Sequence, residues 1–145
     1  GLGDVYKRQG LGVASEVARK RLGNDLQDST AMRDRLQDLL FSGIDGLVLN
    51  GDPEKRLPNT LNLSVPGMEG SRILEGLPNI MASTGAACHD RSVKLSHVLA
   101  AMGLTAEVGM GALRLTVGRA NTMDRIEEAA EMIIARVKAL RGGSS

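Results

Sequence analysis

Apolar residues recur every three to four positions over residues 12–40, which places them on one face of an α-helix. Asp28 and Ser29, followed by Thr30, could cap a second helix, so the pattern allows either one bent helix or two. A second apolar stripe follows Asn121 and Thr122, a pair suited to starting a helix. Its members are Ile126, Ala129, Ala130, Ile133, Val137 and Leu140. The pattern therefore predicts long helices at both ends of the chain.

Between these helices the pattern changes to short, strand-like runs. Residues 60–65 alternate, with Thr60, Asn62 and Ser64 on one face and apolar side chains on the other. Further strands are predicted at residues 47–49, 80–83 and 112–117, and short helices at residues 69–77 and 96–102. The connections are too short for regular parallel crossovers. The predicted fold is an α/β domain with a small, mostly antiparallel sheet of three to four strands and helices packed outside it.

Both ends of the chain differ from this pattern. Residues 1–9 (GLGDVYKRQ) follow no periodicity and look like a non-native tail. Residues 142–145 (GGSS) resemble a linker. The sequence predicts one domain over residues 10–141, including its long first helix.

Composition narrows the range of functions. A net charge of +1 over 145 residues gives no electrostatic argument for a nucleic-acid or membrane partner. One Phe, one Tyr and no Trp leave few platforms on which single-stranded nucleic acid could stack. No apolar run is long enough to cross a membrane, which predicts a soluble protein. The single cysteine excludes an internal disulfide and fits a reducing compartment.

Three residues are candidates for chemistry. Cys88 closes the small-residue run STGAAC at residues 83–88, which predicts a flexible loop where a thiol can approach a substrate closely. His89 beside it could activate the thiol or shuttle a proton. Arg114 interrupts an apolar strand and shares a face with Thr116, where its guanidinium could hold a carboxylate through two parallel hydrogen bonds. Together they suggest an enzyme that attacks a small amino acid through sulfur.

Each candidate also has a simpler interpretation. A free cysteine is more often a small buried side chain, His89 could be a solvated loop residue, and Arg114 could simply face solvent. His97 and Arg119 are interpreted as structural. Metal binding has little support, because Cys88 and His89 are adjacent and no second ligand pair occurs. The sequence contains neither a phosphate-binding glycine loop nor a serine nucleophile elbow.

Five short motifs together resemble a known family. They are RLPNTLNLS at residues 56–64, STGAAC at 83–88, SHVL at 96–99, AMGL at 101–104 and LRLTVGR at 113–119. In this order they resemble the C-terminal portion of the NifS-like cysteine desulfurases and selenocysteine lyases, over residues 10–140. These enzymes belong to the class V aminotransferase family of fold-type I pyridoxal-phosphate proteins. The resemblance implies the small domain of a homodimeric enzyme.

The resemblance also implies roles for individual residues. Cys88 would attack the sulfur of L-cysteine, keep it as a persulfide and release L-alanine, and Arg114 would bind the substrate carboxylate. The sulfur would pass to an acceptor protein, as in iron–sulfur cluster assembly. The family's His-Lys pair, which holds pyridoxal 5'-phosphate, is absent, because none of the lysines follows a histidine. The cofactor would therefore bind to a missing large domain, and this chain alone would be inactive.

Several alternatives stay open at this point. Selenocysteine lyase is one, because Ala86-Ala87-Cys88-His89 resembles that branch and both reactions need the same carboxylate anchor. A sulfur carrier without a cofactor, or a partner-binding domain with an inert thiol, is a different class of function. Leu95 stands where many relatives have proline, which predicts a looser cysteine loop. The expected location is the cytoplasm or an organellar matrix, since the N-terminus of the parent would be missing.

Overall fold

The computed structural model describes the backbone of residues 2–89 and 92–143 and the side chains of residues 3–85 and 95–143. Its helices are α1 (Leu2–Gly43), α2 (Gly70–Glu75), α3 (His97–Ala101), α4 (Ala106–Gly109) and α5 (Met123–Gly142). Its strands are β1 (Val48–Leu49), β2 (Thr60–Ser64), β3 (Ser83–Thr84), β4 (Ala86–His89), β5 (Ser92–Leu95) and β6 (Ala112–Thr116). The predicted α/β class is confirmed.

Four of the strands form an antiparallel sheet in the order β1-β2-β6-β3. Its centre is the pair β2 and β6, where Leu63 lies opposite Leu113 and Asn62 opposite Arg114. β4 and β5 form a separate antiparallel hairpin. The prediction of a small antiparallel sheet is therefore confirmed.

Helices α1 and α5 cover one face of this sheet. The alternation of β2 and β6 turns four leucines toward the helices: Leu61, Leu63, Leu113 and Leu115. The helices contribute Met32, Leu36 and Leu40 from α1 and Ile126, Ala130, Ile133 and Val137 from α5. Burying one such side chain contributes about 1.5–3 kcal/mol. Packing of this apolar layer determines which face of the sheet is buried against the helices. The alternate side chains of β2 and β6 therefore project from the opposite face.

Three predicted elements are corrected. The strand expected at residues 80–83 is only Ser83–Thr84, because a turn in which Ile80 N donates to Leu77 O (3.0 Å) occupies the preceding backbone. The helix expected at 69–77 spans only Gly70–Glu75. The cysteine segment, expected to be a loop, is a strand-paired hairpin. α4 was not predicted, since four residues are too few to show a periodicity.

The open choice between one N-terminal helix and two is settled by α1, which is one continuous helix. Ser29, an expected cap, is instead a buried position within α1. Residues 2–9 form the first turns of α1, and their assignment to a non-native tail stays a prediction. Gly1 and residues 144–145 of the expected tails lie outside the described residues.

Candidate functional site

Arg114 lies in the middle of β6, on the face opposite α1 and α5. Its side chain is exposed, and its Nη2 donates a hydrogen bond to Ser83 Oγ (3.3 Å). The strand register places Arg114 between Ser83 of β3 and Asn62 of β2. Directly opposed residues of antiparallel strands share a face, so these three side chains form one polar row across the sheet. The predicted orientation of β6 is observed, and the role of Arg114 stays a prediction.

A buried amide supports this row from the β1 side. Asn50 follows β1 and is only 7% exposed. Its Nδ2 donates to Asn62 Oδ1 and to Ser64 Oγ, both at 2.9 Å, and its backbone N donates to Asn62 O at 2.9 Å. Asn62 and Ser64 were placed on the polar face by their alternation. Asn50 was not singled out from the sequence, because nothing local in the sequence shows a contact twelve residues away.

The loop after Asn50 is tied down by Asp52. Its Oδ1 accepts hydrogen bonds from the backbone N of Lys55 (2.7 Å) and Glu54 (2.8 Å). The amides of Lys55 and Glu54 hold the pKa of the Asp52 carboxyl below its ordinary value, because they stabilise the charged form. The carboxylate therefore keeps these bonds at neutral pH and loses them only as the pH falls through the lowered pKa.

The hairpin that contains Cys88 starts from β3, the strand next to Arg114. Gly85 links the two: its N donates to Ala112 O, and its O accepts from Ser96 N, both at 2.9 Å. In the backbone, Cys88 lies opposite Val93. The side chains of Cys88 and His89 lie outside the described residues, so their predicted roles stay predictions.

Close packing at Gly85 holds the base of this hairpin, which predicts a strong effect of adding one methyl group. A Cβ at Gly85 would lie 2.5 Å from both Ala112 Cβ and Leu99 Cδ1 and 2.7 Å from Gly109 O. We expect Gly85→Ala to lower the free energy of unfolding by about 1–3 kcal/mol, because the surrounding atoms must shift. Urea unfolding measures this loss.

Gly118→Ala is the matched control, since its added Cβ meets nothing within 4 Å. It should change the free energy of unfolding by no more than about 0.5 kcal/mol. Equal stability of the two variants would contradict the close packing assigned to Gly85.

His97 and Arg119, which were interpreted as structural, lie outside the polar row of Arg114. His97 is exposed in α3, and Ser96 caps this helix, because its Oγ accepts a hydrogen bond from Val98 N at 3.3 Å. Arg119 Nε lies 3.8 Å from Asp25 Oδ2, so this arginine connects the end of β6 to α1. Within the part of the chain whose side chains are described, no group of three His, Cys, Asp or Glu residues could hold a metal ion.

The described residues do not form a site for pyridoxal 5'-phosphate. Such a site needs a lysine amine directed at the bound cofactor. Lys7 and Lys20 lie on α1, Lys138 lies on α5, and Lys55 lies in the loop before β2. None of these four is in the sheet that carries Arg114, and the side chain of Lys94 is outside the described residues.

Comparison with known proteins shows which curated proteins the chain is similar to. No protein-family model matches it. It is 36% identical over 137 residues to the cysteine desulfurase IscS of Histophilus somni, covering 94% of this chain and 34% of that protein. It is 39% identical over 137 residues to cysteine desulfurase IscS 1 of Archaeoglobus fulgidus, covering 93% and 36%. The mitochondrial cysteine desulfurase of Arabidopsis thaliana is 33% identical over 141 residues, covering 97% and 31%.

Solved structures agree with these relatives. A NifS-like protein from Rickettsia africae superposes with a TM-score of 0.76 at 24% identity, over 89% of this chain and 33% of its own. A second NifS-like protein superposes with a TM-score of 0.72 at 26% identity, over 85% and 31%. The chain is a fragment of a NifS-like protein. This NifS-like fragment spans about a third of the length of the curated relatives it matches. None of its described helices is both long and apolar enough to span a membrane.

Proposed function

We propose that the NifS-like fragment is the part of a cysteine desulfurase that presents Cys88 and Arg114 to L-cysteine. The observation that carries this proposal is the position of Arg114. It is an exposed cation on the face opposite the helices, in register with Ser83. The strand of Ser83 continues through Gly85 into the hairpin of Cys88. The cysteine desulfurase relatives support the same assignment.

In the proposed reaction the thiolate of Cys88 attacks the Sγ of L-cysteine. An S–S bond forms as the C–S bond breaks, and the carbon keeps the bonding electrons and takes a proton. The products are L-alanine and a persulfide on Cys88, and no external oxidant or reductant is consumed. Arg114 orients the substrate by holding its carboxylate with the guanidinium fork.

The remaining parts of the reaction belong to the rest of the parent in this proposal. Breaking a C–S bond beside an amino acid Cα needs an electron sink, which pyridoxal 5'-phosphate supplies. We assign this cofactor to the two thirds of the parent that the fragment does not span. We also propose that the parent is a homodimer in the cytoplasm or an organellar matrix, and that the persulfide passes to an acceptor protein.

Turnover by the full-length parent tests the proposed function. With pyridoxal 5'-phosphate and L-cysteine, the parent should release alanine, whereas the NifS-like fragment with the same cofactor should release none. Alanine production by the fragment together with a stable cofactor absorption band would contradict the assignment of the cofactor to the missing part. Failure of the full-length parent to form alanine would contradict the function itself.

A selenocysteine lyase is the second candidate, supported by the run Ala86-Ala87-Cys88-His89. The same assay with L-selenocysteine separates the two activities. A strong preference for the selenium substrate would make selenocysteine lyase the favoured function. Both candidates keep Arg114 as the carboxylate anchor.

A further inference from the structure

The polar row that contains Arg114 also contains Asn62, to which the proposed function assigns no role. Asn62 lies directly opposite Arg114 in the strand pairing, and Ser83 lies opposite it on the other side. Opposed side chains of this kind are about 5 Å apart at their Cβ atoms. Arg114 is held on one side by its hydrogen bond to Ser83 Oγ. An anion bound by Arg114 would therefore lie within reach of Asn62.

The orientation of the Asn62 amide follows from its partner. Its Oδ1 already accepts a hydrogen bond from Asn50 Nδ2 (2.9 Å). In the strand order, β1 and β6 flank β2 on opposite sides, and Asn50 follows β1 directly. With its oxygen turned toward Asn50, the amide of Asn62 presents its nitrogen, a hydrogen-bond donor, toward Arg114.

We infer that Asn62 is a second donor to the carboxylate that Arg114 binds, and that Asn50 is the positioning residue that orients it. This inference rests on the proposed function. A guanidinium and an amide nitrogen are both donors, and a carboxylate offers about four acceptor sites. Within the part of the chain whose side chains are described, Arg114 forms no ion pair with a carboxylate of its own. The row is thus matched to a free α-carboxylate rather than to an amide or ester.

The energetics of Asn50 support a positioning role. Its Oδ1 is buried and, among the described residues, has no hydrogen-bond partner. Burying an acceptor without a donor is unfavourable, so Asn50 is a poor choice for stability alone. Its Nδ2, in contrast, satisfies both Asn62 and the fully buried Ser64. Orienting Asn62 is a task that an apolar side chain at this position could not perform.

The test uses the full-length parent and separates binding from chemistry. We expect Asn62→Ala to raise KM for L-cysteine and Kd for L-alanine about tenfold, with kcat little changed, because one hydrogen bond to a charged group is lost. Binding of L-alaninamide, which lacks the carboxylate, should be unaffected. Asn62→Asp should bind L-alanine more weakly still, because its carboxylate faces that of the ligand. If Asn62→Ala does not fold, Asn62→Thr removes the amide while keeping a residue suited to a strand.

A double-mutant cycle tests the link between the two amides. Asn50→Ala should weaken L-alanine binding by less than Asn62→Ala, and the double variant should be no worse than Asn62→Ala alone. Independent, additive losses would contradict the positioning role. The matched control is Asn79→Ala, an exposed asparagine outside the strands of the sheet, which should leave both KM and Kd unchanged.

Two outcomes distinguish this inference from the proposed function. If Arg114→Ala weakens L-alanine binding but Asn62→Ala behaves like Asn79→Ala, only the role of Asn62 is overturned. An equal loss for L-alanine and L-alaninamide in Asn62→Ala also overturns it, since the contact would not be to the carboxylate. If Arg114→Ala itself has no effect on binding, the proposed function fails as well.

Discussion

Cys88→Ser in the full-length parent should lower sulfur transfer from L-cysteine on the order of 10³-fold or more, because removing a nucleophile eliminates the covalent step. A serine hydroxyl is almost fully protonated at neutral pH and cannot hold a persulfide. Substrate binding should be retained, because Arg114, the proposed carboxylate anchor, lies on β6 and not on the hairpin. The assay is alanine release, read alongside L-cysteine binding to the same variant.

Ser92→Ala is the control for disturbance of the hairpin, since Ser92 lies on β5 opposite His89. It should keep most of the parent activity. A Cys88→Ser variant with normal alanine release would contradict the role of this thiol. A wild-type thiol that resists alkylation by a small electrophile at neutral pH would favour a partner-binding domain with an inert cysteine.

Arg114→Ala should produce the second large loss, in kcat/KM for L-cysteine. Two charge-assisted hydrogen bonds to the carboxylate contribute about 3–4 kcal/mol, which corresponds to a loss on the order of 10²- to 10³-fold. Arg114→Lys keeps the charge but not the planar fork, so it should lie between the wild type and Arg114→Ala. Steady-state kinetics of the three proteins measures the series.

Arg125→Ala is the matched control for Arg114, because Arg125 is an arginine of α5 with a side chain 72% exposed and paired with Glu128. Its kcat/KM should equal that of the wild type, and its stability should change little. If Arg114→Ala behaved like Arg125→Ala, the exposed guanidinium of β6 would be an ordinary surface charge.

The sequence predicted those parts of the fold in which hydrophobic burial imposes a regular period. The stripe of α5 and the alternation of β2 and β6 are strong signals, because one face of each element must pack against the core. The orientation of Arg114 followed from the same alternation. The hairpin of Cys88 was not predicted, since its small residues carry no apolar pattern. Among the residues whose backbone is described, its two strands pair with each other and not with the four-stranded sheet.

The candidate site was also predictable only in part. Cys88 and Arg114 could be singled out by residue type and by family resemblance. The contact between Asn50 and Asn62 could not, because it depends on the pairing of β1 with β2 and on an amide orientation set in three dimensions. Gly85 is a further example. The atoms that would crowd an added Cβ there belong to α3, α4 and β6, and none of these elements is adjacent to Gly85 in the sequence.

A sulfur-carrier function makes a different prediction from the desulfurase function. As a carrier, the NifS-like fragment would need no cofactor, and a separate donor enzyme would load Cys88 in trans. As part of a desulfurase, Cys88 should be loaded only within the full-length parent. Incubating the isolated fragment with a donor desulfurase and L-cysteine distinguishes the two, and efficient loading of the fragment would favour the carrier.

The most direct measurement is to locate the sulfur after one turnover. The full-length parent receives L-cysteine, its thiols are alkylated, and the modified peptides are mapped by mass spectrometry. If nucleophile and anion anchor act on the same incoming amino acid, the extra sulfur atom appears on Cys88 and is nearly absent in Arg114→Ala. Sulfur on a different residue, or equal labelling of Cys88 with and without the guanidinium, would contradict that account.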